Sequence, residues 1–253
     1  MKKVYLSLIA FCFSFLTLQA QETAPQSSVD VTIQGNFVNR HIYRGFLIGK
    51  VGNSAYPVHL QPEMSLSYTG KSWGTATVGF FGTYGVTNEY SESDLYLTYG
   101  VPLKKGSLSF TLFDYHYPYS ANGNFRNFEG GGNGAHTLEL QASYTVSEKF
   151  PLNIFLGRLI HNYDPPQNDN SLYARLSYPF SLSDLQMEGF LGLAQGQSSW
   201  HAIDSSSPAV TNLGLSASRT VSLNEAFKLN YGTMWVYNPY HGQSFMQFRI
   251  TIL

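Results

Sequence analysis

The sequence predicts an all-β fold: a closed antiparallel transmembrane β-barrel of about 12 strands, preceded by a cleaved signal peptide. Three observations carry this prediction. Apolar and polar side chains alternate with period two along most of the chain, the pattern of strands with unlike faces. Charged residues make up 12%, about half the share usual in a soluble domain, while the chain holds 18 Tyr and 18 Phe. Short and long connections between the alternating segments follow one another in turn, as in outer-membrane barrels.

Residues 1–20 read as a secretory signal peptide. Lys2 and Lys3 form a positive start, residues 4–18 are nearly all apolar, and Leu18-Gln19-Ala20 ends on the small residue a signal peptidase needs. The apolar stretch is short for a spanning helix. Phe11 before Cys12 argues against lipid attachment, and removal of the leader removes the single cysteine. That leaves no disulfide framework and no thiolate metal site. It also leaves 13 basic against 16 acidic residues, a formal charge of −3, with no basic footprint for nucleic acid. Residues 21–28 are polar and read as a flexible lead-in, with the barrel over 29–253. No run of about 18 apolar residues follows Ala20, which excludes a helical membrane protein.

Strands are expected at 29–38, 58–68, 73–84, 93–101, 107–117, 136–146, 152–161, 171–179, 185–194, 210–221, 227–237 and 244–253. In the first, Val29, Val31, Ile33 and Phe37 alternate with Asp30, Thr32, Gln34 and Asn36. In the sixth, Leu138, Leu140 and Ala142 alternate with Glu139, Gln141 and Ser143. In the last, Met246, Phe248, Ile250 and Ile252 alternate with Gln247, Arg249 and Thr251. Pro62 conflicts with regular pairing in the second, because it lacks a ladder donor; a bulge or a later strand start is expected there.

Short connections are 69–72, 102–106, 147–151, 180–184 and 222–226; longer ones are 39–57, 85–92, 118–135, 162–170 and 195–209, with 238–243 a modest member of the long set. An N-terminus in the periplasm puts every long loop outside the cell. Tyr68, Tyr99, Tyr144 and Tyr178 close inward-running strands, and Trp73 and Phe227 open outward-running ones, so rings gather at the short-turn end as an aromatic girdle. A secreted soluble β-sandwich also alternates; the low charge and the loop asymmetry favour the barrel.

The opening run from Gln34 to Phe46, with its Tyr43-Arg44-Gly45 step, resembles the first strand and loop of the TorF-like porin family of bacterial outer-membrane proteins. Ser93-Asp94-Leu95-Tyr96-Leu97-Thr98-Tyr99-Gly100 resembles that family's acidic-apolar-Tyr strand, and Tyr115-His116-Tyr117-Pro118 its Tyr-rich strand end. The likeness in strand spacing spans nearly the whole mature chain. It implies a barrel and a porin role, and brings no substrate and no catalytic residues. The ending departs from the common assembly signal, since Leu253 is not aromatic.

If the apolar faces meet lipid, parity sends Gln61, Glu63, Glu139, Gln141, Gln186, Glu188, Arg175 and Arg249 into the lumen. A charge facing lipid near the midplane costs about 2–4 kcal/mol, which favours that placement. These residues either line an open, charge-filtering channel or plug a narrow barrel by bonding to each other. Arg158 and Arg219 fall on apolar faces and are expected near strand ends, where they can snorkel. Arg44 and Gly45 are loop candidates: Arg44 folds into the pore to meet anionic groups, or it fixes loop geometry with Gly45 supplying a permissive backbone. His116, Ser120 and Asp114 are close in sequence but match no hydrolase motif. The remaining histidines lack metal-ligand spacing, so no catalytic residue, metal or cofactor is assigned. The functional expectation is a porin-like outer-membrane channel for small hydrophilic solutes. A closed barrel with a structural or surface-interaction role is the alternative, and a lipid-modifying barrel enzyme is third. The partners expected are outer-membrane lipid, the barrel-assembly machinery and small solutes.

Overall fold

The computed structural model describes residues 27–49, 58–86, 90–118, 123–162, 171–224 and 227–252. The leader expected over 1–20, most of the lead-in and Leu253 lie outside them. The described elements are β1 (Ser28–Val38), β2 (His41–Tyr43), β3 (Phe46–Ile48), β4 (His59–Gly70), β5 (Gly74–Gly85), β6 (Ser91–Pro102), β7 (Ser107–His116), β8 (His136–Thr145), β9 (Asn153–His161), β10 (Leu172–Leu182), β11 (Leu185–Ala194), β12 (Ala209–Ser222), β13 (Lys228–Asn238) and β14 (Gln243–Ile252).

Twelve of these strands form a closed antiparallel barrel, β1 and β4 to β14, each paired with its chain neighbours, and β1 closing on β14. At that seam only residues 35–38 pair, from Gly35 facing Ile252 to Val38 facing Arg249, whereas β1 pairs with β4 along its whole length. Side chains reinforce the seam: Thr251 Oγ1 donates to Asn36 Oδ1 at 2.5 Å, and Gln247 Nε2 to the Arg40 carbonyl at 2.7 Å.

The period-two pattern sorts by solvent in an inverted sense. Val31, Leu97 and Phe248 are 68%, 54% and 59% exposed, while Asn36, Glu139 and Thr251 are buried. The apolar face therefore points outward and the polar face inward, the reverse of a soluble barrel. At the short-turn end Tyr68, Trp73 and Tyr99 form a continuous outward ring cluster, Trp73 stacking on Tyr99 at 5.9 Å, and Phe150 meets Tyr178 at 5.5 Å. Inside, glycine makes room for large rings: Tyr96 lies over Gly79, Tyr173 over Gly192 and Phe190 over Gly214.

Two expectations are corrected here. Pro62 brings neither a bulge nor a late start. β4 begins at His59, and its register against β5 is unchanged on both sides of the proline; only Gln61 and Pro62 drop out of that ladder. The missing donor faces β5, where Gln61 Nε2 bonds Thr83 Oγ1 at 3.1 Å instead, and pairing with β1 continues through Pro62. Second, the 39–57 connection is more than a loop, because β2 and β3 form a hairpin within it. Real register shifts occur elsewhere. β8 and β9 slip between Leu138 and Glu139, and β11 and β12 between Gly192 and Leu193, leaving Thr211 as the extra residue.

Candidate functional site: a latched hairpin inside the barrel

The β2–β3 hairpin pairs Tyr43 with Phe46 around a two-residue turn, Arg44-Gly45. Both turn residues have positive φ, 49° and 92°. A two-residue hairpin whose twist matches its strands requires this, and glycine at the second position accommodates it readily. Gly45 is required for a second reason. A Cβ there would sit 1.7 Å from the carbonyl oxygen of Thr211, the bulge residue of β12. Asn238 Nδ2 donates to the Gly45 carbonyl at 3.2 Å, so the turn is seated against the inner wall on two strands.

Seating the turn drives Arg44 across the lumen. Its Nη2 reaches Glu139 Oε2 at 2.7 Å, with the side chains 8% and 0% exposed. Tyr115 Oη and Gln141 Nε2 also donate to Oε2, at 2.8 and 2.7 Å. Three donors thus converge on one carboxylate oxygen; charge-assisted bonds of this kind are the stronger ones. The other oxygen, Oε1, is buried without a partner and packs where a Cβ on Gly157 would stand, 2.5 Å away. The Arg44 guanidinium lies 4.5 Å from the Tyr173 ring centre and 4.8 Å from that of Tyr43.

The 195–209 segment completes the latch. Arg44 Nη1 lies 3.2 Å from His201 Nε2. Arginine only donates, so Nε2 is the acceptor and the His201 proton sits on Nδ1, which faces Ser198 Oγ at 3.0 Å. His201 is therefore neutral. Burial, and then the Arg44 charge, hold its pKa down at about 3. Burial and then His59 do the same for His41 in β2, also to about 3. Both values lie below the unfolded-state value of 6.5, so the unfolded chain binds the extra protons. The stability tied to these two groups is complete above pH 6.5 and is lost as pH falls toward 3, by roughly 1.4 kcal/mol per unit for each. Denaturant midpoints of the folded barrel between pH 7 and pH 4 should show this fall. His201→Gln, which still offers Arg44 an acceptor, should roughly halve the slope and leave the His41 share; an unchanged slope would place His201 outside the latch.

The remaining candidates lie below the hairpin, toward the short-turn end. Glu63 accepts from Gln34 Nε2 at 2.6 Å and from Tyr96 Oη at 3.0 Å. Glu188 is paired with Arg175, whose guanidinium also lies 4.6 Å from the Phe190 ring centre. The Arg249 side chain makes no ion pair or hydrogen bond among the described residues. A cavity of about 490 Å³ is lined by Gln61, Glu63, Gln247 and Arg249 among others. A second, of about 400 Å³, is lined by Arg175, Gln186, Glu188, Gln247 and Arg249. The two share Gln247 and Arg249 and so adjoin. Arg219 pairs with Asp184 of the β10–β11 turn at 2.8 Å.

Sequence parity placed Glu139 and gave Arg44 two readings, but it did not join them. The structure places Arg44 in a positive-φ turn with its guanidinium paired to Glu139 of the barrel wall. Asp114 and His116, close in sequence, are joined at the loop end of the outer wall by His136, one of the histidines the sequence leaves scattered. His136 bonds Asp114 through Nδ1 at 2.8 Å and the Phe125 carbonyl through Nε2 at 2.8 Å. His116 Nε2 is engaged with the Gly123 carbonyl at 3.2 Å. These groups pin the 123–135 segment to the wall; Ser120 lies outside the described residues. No group of three His, Cys, Asp or Glu among the described residues is arranged to hold a metal ion. In comparisons with known proteins, no family model matches the chain and no curated protein matches it.

Proposed function

We propose that this chain is a porin-like barrel of the bacterial outer membrane that passes small hydrophilic solutes, with the β2–β3 hairpin controlling access from the loop end. The observation that carries the reading is the pair of adjoining polar cavities around Gln247 and Arg249, enclosed by a wall whose outward face is apolar. Side chains such as Val31 and Leu97 at more than half exposure would be costly in water over a whole barrel surface and are at home in lipid. The resemblance to the TorF-like porin family supports the same reading. A sealed barrel with a surface role is the second reading, and the buried Arg44–Glu139 pair favours it, since it holds the hairpin across the lumen.

The protein should pellet with outer membranes and migrate differently before and after boiling; recovery from the soluble periplasm would contradict the membrane assignment. Liposomes carrying refolded protein should swell slowly in an isotonic pentose. They should swell several-fold faster when residues 41–48 are replaced by a short Gly-Ser linker. If the folded wild type and the linker variant both exclude the sugar, the sealed barrel stands instead.

A further inference from the structure

Above the latch, on the loop side, lies a separate cavity of about 180 Å³ whose lining is unlike the polar chamber. Tyr43, Tyr90, Tyr115, Tyr117 and Trp200 surround it, with the Glu92 carboxylate in the wall. The rings stand steeply to one another. Tyr43 makes 85° with Tyr115 and 84° with Trp200, and Tyr90 makes 65° with Tyr117, at centroid distances of 6.1 to 6.5 Å. Rings so arranged enclose a space instead of filling it by stacking. Their hydroxyls are largely spoken for: Tyr43 bonds Tyr115, Tyr115 donates to Glu139, and Tyr90 donates to Glu92.

The charge balance is the second observation. Glu92 is 5% exposed and Asp94, two residues along the same inward face of β6, is 1% exposed. Neither makes an ion pair among the described residues. Asp94 accepts from the His116 backbone N–H at 3.3 Å, Glu92 accepts from Tyr90, and the two carboxyls hydrogen-bond each other. The nearest guanidinium on the hairpin, Arg44, is committed to Glu139. That bond needs a proton on one of the two, so the pair holds a single buried negative charge with no cation beside it, and this wall favours a positive guest.

We infer that the cavity binds a small organic cation of the quaternary ammonium class. Aromatic walls attract a diffuse positive charge through their ring faces, and the carboxylate adds a Coulombic partner. A trimethylammonium head needs no hydrogen-bond acceptor and presents methyl groups to the rings that make up most of the lining. The volume suits such a head and excludes a disaccharide. The site goes beyond the channel reading and does not depend on it, because binding needs no passage.

The test is calorimetric titration of the full-length refolded barrel in detergent with choline. Its uncharged isostere, 3,3-dimethylbutan-1-ol, serves as the control. Choline should bind saturably and at least about tenfold more tightly than the alcohol, the margin a desolvated cation–π site supplies. Glu92→Gln should weaken choline about tenfold and leave the alcohol unchanged, since only the charged guest uses the carboxylate. Tyr117→Leu should weaken choline with Glu92 intact. Absence of saturable choline binding, equal affinity for the alcohol, or indifference to Glu92→Gln would each overturn the proposal. The choline–alcohol comparison on wild-type protein decides the matter even if a variant fails to fold. Swelling in pentose bears only on the channel, so the two readings fail separately.

Discussion

Glu139→Gln should destabilise the folded barrel by about 3 kcal/mol, because it leaves the Arg44 guanidinium buried without its counter-charge. The substitution keeps side-chain shape and one acceptor, so the loss reports charge and not packing. Arg44 cannot relieve the burial by deprotonating, since guanidinium holds its proton at any accessible pH. Its remaining neighbours, His201 at Nη1 and the Tyr43 and Tyr173 rings, are all neutral. The hairpin should therefore leave its seat before the wall unfolds, and residues 41–48 should become accessible to protease at denaturant concentrations that spare the wild type. Arg44→Met combined with Glu139→Gln should cost less than the sum of the two single changes, because removing both charges removes the unpaired one. Strict additivity would show that Arg44 and Glu139 are neighbours without being partners.

Gly45→Val should have the other large effect. Its cause is steric, not electrostatic. The backbone at Gly45 has φ of 92°, which a β-branched residue does not adopt without strain, and the new Cβ would overlap the Thr211 carbonyl oxygen at 1.7 Å. Neither side can yield easily. Thr211 is held by the β11–β12 register shift, and the turn is held by the Asn238 bond. The hairpin should be expelled while the barrel closes normally, since β2 and β3 contribute no ladder to the wall. Heat-modifiable migration on a gel should persist while residues 41–48 become protease-sensitive. A Gly45→Val protein with a protected hairpin would mean that the turn does not seat against β12.

The barrel wall was legible because its signal is local. Leu138, Glu139, Leu140 and Gln141 declare their faces from sequence alone, and the same parity repeated twelve times leaves a closed sheet as the economical solution. Pro62 misled because a missing donor matters only on the side where the ladder needs it. The sequence does not say that this side meets Gly82 and Thr83, with Gln61 able to bond Thr83. The hairpin carries a readable signal: His41-Ile42-Tyr43 and Phe46-Leu47-Ile48 are short, mostly apolar runs around an Xaa-Gly dipeptide, a two-residue turn pattern. The latch itself was not legible. Arg44 meets Glu139 across 95 residues and His201 across 157, and those meetings depend on barrel closure and on the slip beside Glu139. Parity could place a carboxylate inside without naming the cation that finds it. It also left Glu63, Glu139 and Glu188 as possible bearers of a free negative field, whereas each is bonded within the barrel.

Whether the hairpin, held by the buried Arg44–Glu139 pair, controls access to the polar lumen is decided by single-channel recording of refolded protein in planar bilayers. The wild type should rest closed with brief openings. Glu139→Gln should show the same unit conductance but remain open for most of the record, because only the latch has changed. A wild-type barrel that holds a steady open level, indistinguishable from that of Glu139→Gln, would contradict the account.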